Sequence, residues 1–157
     1  MQLKIEYVKL TELEPYANNA KIHTDKQIEQ IRRSIEEFGF NDPVAVWKNN
    51  EIIEGHGRLL AAMRIKGLDK VPVIRLDELT DDQRKAYILV HNKLTMNTGF
   101  SLDALNQELE NISTFDMSEY GFDLESEAAE IDTDSVVADS VIICPRCGHR
   151  LGGVDDA

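Results

Sequence analysis

Ile52-Ile53-Glu54-Gly55-His56-Gly57-Arg58-Leu59-Leu60-Ala61-Ala62 reads as a short apolar strand, a Gly-x-Gly turn and a helix that opens with an arginine. A strand that feeds a glycine turn into a helix start suits an anion. The first N–H groups of a helix have no intrahelical partner, and the macrodipole puts partial positive charge there. Glycine lets the backbone approach a phosphate closely, and Arg58 adds a permanent forked cation. The spacing is not that of a P-loop, and the dinucleotide fingerprint is incomplete. Two readings stand at this point: a phosphate cradle, or a tight strand-to-helix turn beside a solvated arginine.

Outward from this segment the periodicities predict an α/β (α+β) body. Upstream, Gln2–Leu10 alternates like a strand, and Leu13–Ala20 is turn-rich. Thr24-x-x-Gln27 is a capping box for a helix with Ile28, Ile31, Ile35 and Phe38 on one stripe, ended by Gly39. Val44–Trp47 and Ile52–Glu54 flank a hairpin turn, Lys48-Asn49-Asn50-Glu51. Downstream, a helix runs from about Arg58 to Lys66 and is stopped by Gly67. Val71-Pro72-Val73-Ile74-Arg75 is a strand with its proline near the start or on an edge. Thr80-x-x-Gln83 caps a helix to about Val90, and Ser101 caps another, with Leu102, Leu105, Leu109 and Ile112 apolar. The organisation expected is a body over 1–115, an acidic linker with a short helix over 116–140, and a small CxxC-containing tail over 141–157.

Charge supports that division. From Asp116 to Asp139 there are nine acids and no Lys or Arg, whereas residues 1–115 carry 18 acids and 15 bases, a net of −3. The body is therefore nearly balanced, with no basic stripe that would hold nucleic acid tightly without specificity. The acidic run reads as solvated linker, with a partner-binding or DNA-mimicking tail as the rarer alternative. No stretch approaches the ~20 apolar residues of a membrane span, and the start lacks an apolar signal region, so a cytoplasmic protein is expected. The two cysteines do not suggest a disulfide framework. Cys144-x-x-Cys147, with His149, is half of a zinc ribbon and would need ligands from elsewhere to complete a tetrahedral site.

Four motifs in order resemble the ParB/sulfiredoxin-like family. Ser34-Ile35-Glu36-Glu37-Phe38-Gly39-Phe40 followed by Asn41-Asp42-Pro43-Val44 resembles the helix and strand before the ParB cradle. Gly55-His56-Gly57-Arg58-Leu59-Leu60-Ala61-Ala62 is similar to the family's phosphate-binding segment. Val71-Pro72-Val73-Ile74 is similar to the strand after it, and Ala86–Leu94 to the segment carrying an asparagine of the site, with His91-Asn92-Lys93 following the helix or capping its end. Within the family the chain looks most like the single-domain group of phages and mobile elements, often associated with DNA methyltransferases. Leu13, Pro15-Tyr16, Asn19-Ala20-Lys21 and His23 carry that likeness, with His91-Asn92-Lys93-Leu94 and Gly99-Phe100. Three departures narrow what it implies. His56 stands where sulfiredoxin places its reactive cysteine. His91 stands where ParB has a glutamate that helps to hold Mg²⁺ and triphosphate. An acidic run follows where a partition ParB carries a helix-turn-helix.

The resemblance implies a compact fold with a small mixed sheet flanked by helices. It also implies a nucleoside triphosphate ligand, CTP or ATP, with Mg²⁺ as a family companion, bound through Gly55, His56, Gly57, Arg58, His91, Asn92 and Lys93. Asn19, Lys21 and His23 form a polar loop that faces phosphate or DNA, or else a plain turn. Glu54 and His56 are the candidates for catalysis, as base or metal holder; a paired strand-end glutamate and a turn-capping histidine are the alternatives. Cys144, Cys147 and His149 are the zinc candidates. The partners implied are DNA or a DNA-modifying protein such as a methyltransferase, and a second copy of the chain. The reading favoured is a nucleotide-binding protein in DNA modification, packaging or transcription. A metal-dependent nuclease, a small-molecule phosphotransferase and a non-catalytic methyltransferase adaptor are the alternatives.

Overall fold

The computed structural model describes residues 3–17 and 21–122, and the backbone of 142–143 and 150–151. The chain divides into a unit over Met1–Ser126 and a second over Glu127–Ala157. In the second, Ile142–Ile143 pairs antiparallel with Arg150–Leu151. Cys144, Cys147 and His149 lie outside the described residues.

The first unit is built on a five-stranded mixed sheet flanked by helices. The strands are β1 (Ile5–Lys9), β2 (Glu14–Pro15), β3 (Val44–Trp47), β4 (Glu51–Glu54) and β5 (Lys70–Arg75), in the order β1-β5-β3-β4-β2. The β3–β4 hairpin forms as expected, and its turn places Asn49 and Asn50 at φ 59° and 61°. Asparagine tolerates that left-handed region better than most residues. Pro72 stands near the start of its strand, the first of the two expected placements, and not at a sheet edge. It is third in a strand with β1 on one side and β3 on the other. β2 was read as turn; only its parallel pairing with β4 makes Glu14–Pro15 a strand, at an edge where proline is tolerated.

Strand alternation splits the core into two layers. Val8, Val44, Val46, Ile52, Val71 and Val73 face one side with Leu59 and Ala62 of helix α2 (His56–Ala62). Helix α1 (Asp25–Phe38) packs on α2. Ala45 and Ile53 face the other side with Leu76 and Ile88 of helix α3 (Asp81–Met96), and Tyr16, Trp47 and Tyr87 pack against that cluster.

The helix limits also differ from the periodicity. α2 begins at His56, because Gly55 at φ 101° serves as its N-cap, and it ends at Ala62. α3 continues to Met96, so His91-Asn92-Lys93 lie inside the helix rather than after it. No glycine or proline interrupts it before Gly99. Thr80 and Gln83 form a complete capping box. At α1, Thr24 accepts from the Gln27 N–H, but the Gln27 side chain turns to His23 instead of the cap. Ser101 stands at the N-cap of α4 (Leu102–Asn111) without a side-chain cap bond, and Leu102 remains half exposed. A 3₁₀ turn, Met117–Tyr120, returns to α1, where Phe38 meets Phe115 and Tyr120 at centroid distances of 5.4 and 5.8 Å.

Candidate functional site

The passage from β4 through Gly55 into α2 puts Glu54 and Arg58 four residues apart across a tight turn. Their side chains form an ion pair. Arg58 also reaches the 40s loop, pairing with Asp42 and donating from Nη2 to the Pro43 carbonyl at 3.3 Å. Glu54 and Arg58 are each 17% exposed at the side chain, whereas Asp42 is 73% exposed. The guanidinium thus has one sheltered acidic partner and one in water. Its Nε is buried and has no partner among the described residues.

Gly57 is fixed by close approach. A Cβ there would lie 2.8 Å from Cε1 of His23 and 3.1 Å from Cδ1 of Ile31. Glycine lets α2 approach the His23 and Ile31 side chains this closely. His23 in turn donates from Nδ1 to Oε1 of Gln27 at 3.0 Å. His56 accepts the Tyr16 N–H at Nε2, 3.2 Å away. The neutral ring therefore carries its proton on Nδ1. Burial pushes the His56 pKa down, and neighbouring His23 lowers it further, so the neutral donor form is the resting one. This hydrogen bond uses the lone pair that a general base would need. His91, one turn after Tyr87 and 5.6 Å from it between ring centroids, has a buried Nδ1 with no partner among the described residues. Burial and the nearby Glu54 charge push the Tyr87 hydroxyl pKa up, so it stays protonated.

These side chains line one cavity of about 120 Å³, walled by Lys21, His23, Gln27, Ile31, Ile53, Glu54–Arg58, His91 and Asn92. A second cavity of about 480 Å³ adjoins it, lined by Phe38, Phe40, Asn41, Asp42 and Tyr120 among others, and it shares Gln27, Ile31 and Arg58 with the first. Small-molecule sites run from about 300 to 1,000 Å³. The first chamber is too small to hold a whole ligand, but the pair suits one with a compact polar end and a larger body. Arg58 stands where they meet.

Of the residues singled out from sequence, Lys21, His23, Glu54, Gly55, His56, Gly57, Arg58, His91 and Asn92 come together here. Lys93 is exposed on α3 and is not part of the wall. Asn19 lies outside the described residues. Sequence reading missed Gln27, which reads only as a cap residue, and Asp42, which enters only as part of the segment leading into β3. Their role depends on α1 and the 40s loop closing over the cradle.

A family model of the ParB N-terminal domain matches residues 2–93, which include every residue of the smaller cavity's wall. The chain belongs to the ParB N-terminal domain family. This ParB-family chain is 49% identical over 84 residues to the ParB-like nuclease domain-containing protein YnaK of Escherichia coli (strain K12). That match covers 54% of this chain and 95% of YnaK. Its fold is similar to that of the C-terminally truncated chromosome-partitioning protein ParB from Caulobacter crescentus, solved in complex with CTP-gamma-S. The TM-score is 0.59 at 18% identity, over 74% of this chain and 70% of that one. At that identity the likeness shows the ParB N-domain fold.

Two ligand expectations bear on metals. Among the described residues, no three His, Cys, Asp or Glu side chains come together in a metal-holding group. Mg²⁺ prefers oxygen ligands in near-octahedral geometry. The wall offers one carboxylate, Glu54, already bound to Arg58, and the Asn92 amide; most of its other polar groups are cations and imidazoles. That donor set does not fit Mg²⁺. No helix among the described residues is long and apolar enough to cross a membrane.

Proposed function

We propose that this chain binds a nucleoside triphosphate, CTP or ATP, with its phosphates in the cavity at Gly55–Arg58 and its nucleoside in the adjoining cavity, and that it does so in a DNA-related process. The observation that carries the reading is the pair of cavities that share Arg58, with two buried polar atoms, Arg58 Nε and His91 Nδ1, that have no partner among the described residues. Buried polar atoms are rarely left without partners, and phosphate oxygens would satisfy both. Membership of the ParB N-terminal domain family and the fold shared with a CTP-gamma-S-bound ParB support the nucleotide class. The DNA-related setting in the cytoplasm, in phage or mobile-element DNA modification, packaging or transcription, rests on the family alone. So does a partner that is DNA, a methyltransferase or a second copy.

Calorimetry with CTP and with ATP tests the reading. Binding tighter than about 1 mM by the wild type, weakened at least thirty-fold by Arg58→Ala, is expected; that loss is about 2 kcal/mol. Equal binding by the variant, or none by the wild type, would refute it.

The nuclease and phosphotransferase readings have less support. Glu54 is engaged by Arg58, and His56 has committed its lone pair to Tyr16. Metal-dependent plasmid nicking that is lost in Glu54→Gln would revive them. Zinc at Cys144, Cys147 and His149 is a separate proposal. Less than about half an equivalent of zinc per purified chain would end it.

A further inference from the structure

We infer that the cavity at Gly55–Arg58 holds phosphate without a divalent cation, with guanidinium, ammonium and imidazole N–H groups supplying the positive charge. This rests on the nucleotide reading above and goes past it, because it fixes the form of the ligand: a free polyphosphate rather than its magnesium complex.

The donor set is the first argument. A magnesium ion that carries a nucleotide is usually held through one or two protein carboxylates in addition to the phosphates. Among the described residues Glu54 is the only carboxylate on the wall, and Arg58 binds it. The Gln27 amide oxygen is occupied by His23. Against these stand Lys21, Arg58, Nδ1–H of His56, and the rings of His23 and His91. Nitrogen-rich surroundings of this kind suit an anion and are poor for a hard cation.

The second argument is the way Arg58 is held. Its two carboxylates are unequal: Glu54 is sheltered and Asp42 is mostly in water. A solvated carboxylate gives up a guanidinium at small cost, since exposed ion pairs contribute about 0–1 kcal/mol. An arriving phosphate can therefore take the place of Asp42 on the guanidinium. It can also accept from the unpartnered Nε, while Glu54 keeps the side chain aimed. Asp42 serves as a stand-in anion on the guanidinium that phosphate displaces.

The test is calorimetry of the full chain with CTP and with ATP, at equal ionic strength, in EDTA and in excess MgCl₂. Binding in EDTA at least as tight as in MgCl₂ is expected, because the metal neutralises charge that the pocket reads. Asp42→Asn should bind three-fold or more tightly in EDTA, and circular dichroism of each variant confirms its fold. Binding seen only with MgCl₂, or more than five-fold tighter with it, overturns the inference and leaves the nucleotide reading standing. Asp42→Asn binding no better than wild type overturns the stand-in role. No binding in either condition defeats both readings.

Discussion

Arg58 and Arg84 are two arginines near the starts of successive helices, each gripped by two carboxylates, and they are put to different use. Arg84 pairs with Glu51 and with Asp81, the latter at 2.8 Å, and its side chain is only 7% exposed. Tyr16 and Trp47 place their rings 4.8 and 4.7 Å from its guanidinium carbon. The Trp47 ring is itself anchored by its Nε1–H, which donates to the Leu79 carbonyl at 3.0 Å. Burial works against the Arg84 charge, but Asp81, Glu51 and Tyr16 outweigh it and keep the group protonated. Among the described residues no ring stacks on Arg58; it has one partner in water, and it lines both cavities. A guanidinium sealed by rings has no partner to exchange. One that leans on a loop carboxylate does.

The contrast breaks first at Arg84. Arg84→Ala removes two cation–π contacts and leaves the partly buried Glu51 without its cation, so a loss of about 3 kcal/mol is expected. Arg58→Ala also leaves a sheltered carboxylate, Glu54, without its cation, but it removes no ring contacts and its other partner, Asp42, is in water, so a smaller loss of about 1–2 kcal/mol is expected. Urea denaturation of both variants measures the gap, and equal losses would erase the distinction. Next in size is the converse in binding: the thirty-fold loss expected for Arg58→Ala should have no counterpart in Arg84→Lys, provided that variant is folded.

Only one of these arginines was legible in the sequence. Arg58 stood out because its context is local: two glycines, a strand before it and a helix after it within eleven residues. Arg84 was one more polar residue in a helical pattern. Its importance comes from Tyr16, Trp47 and Glu51, which lie 33 to 68 positions before it and are brought together by β2–β4 and β3–β4 pairing. The same distinction runs through the fold. β1, β3, β4, β5 and the caps of α1 and α3 were readable from alternation and capping residues. β2 was not, because pairing alone decides it. His91 reads as following α3, because the apolar pattern carries that helix only to about Val90. The helix continues there on propensity and on the contact of His91 with Tyr87.

The two glycines of the cradle sharpen the comparison on a smaller scale. Gly55 has φ 101°, and a Cβ would lie 3.0 Å from Arg58 Nη2 and 3.2 Å from Val44 Cγ2. Gly55→Ala should therefore cost about 1–2 kcal/mol in stability. Gly57 has helical backbone, and an added Cβ meets the movable His23 ring. Gly57→Ala should gain helix propensity, lose contact with His23 and come out near neutral in stability, while weakening nucleotide binding by reshaping the wall. Thermal unfolding beside calorimetry separates the two, and a Gly57→Ala that melts as early as Gly55→Ala would show that the approach of α1 to α2 is rigid.

The smallest effect tests whether the two arginine regions are independent. Tyr16 belongs to both: its ring lies over Arg84, and its N–H is accepted by His56 on the cavity wall. Protonation at Nε2 would end that hydrogen bond. Because the His56 pKa is lowered in the fold, the native state binds fewer protons than the unfolded one just below the ordinary histidine pKa of about 6.5. The stability it contributes is present above that pH and is lost as the pH falls toward the folded value. His56→Gln can still accept from Tyr16 through its amide oxygen and does not titrate. Between pH 7.5 and 5.5 the wild type should therefore lose more stability than His56→Gln, by about 1 kcal/mol or less. The difference isolates His56 from carboxylates that titrate in both proteins. If it persists when Arg84 is replaced by Lys, His56 acts only on its own wall; if it shrinks, the signal passes through Tyr16 to the sealed arginine.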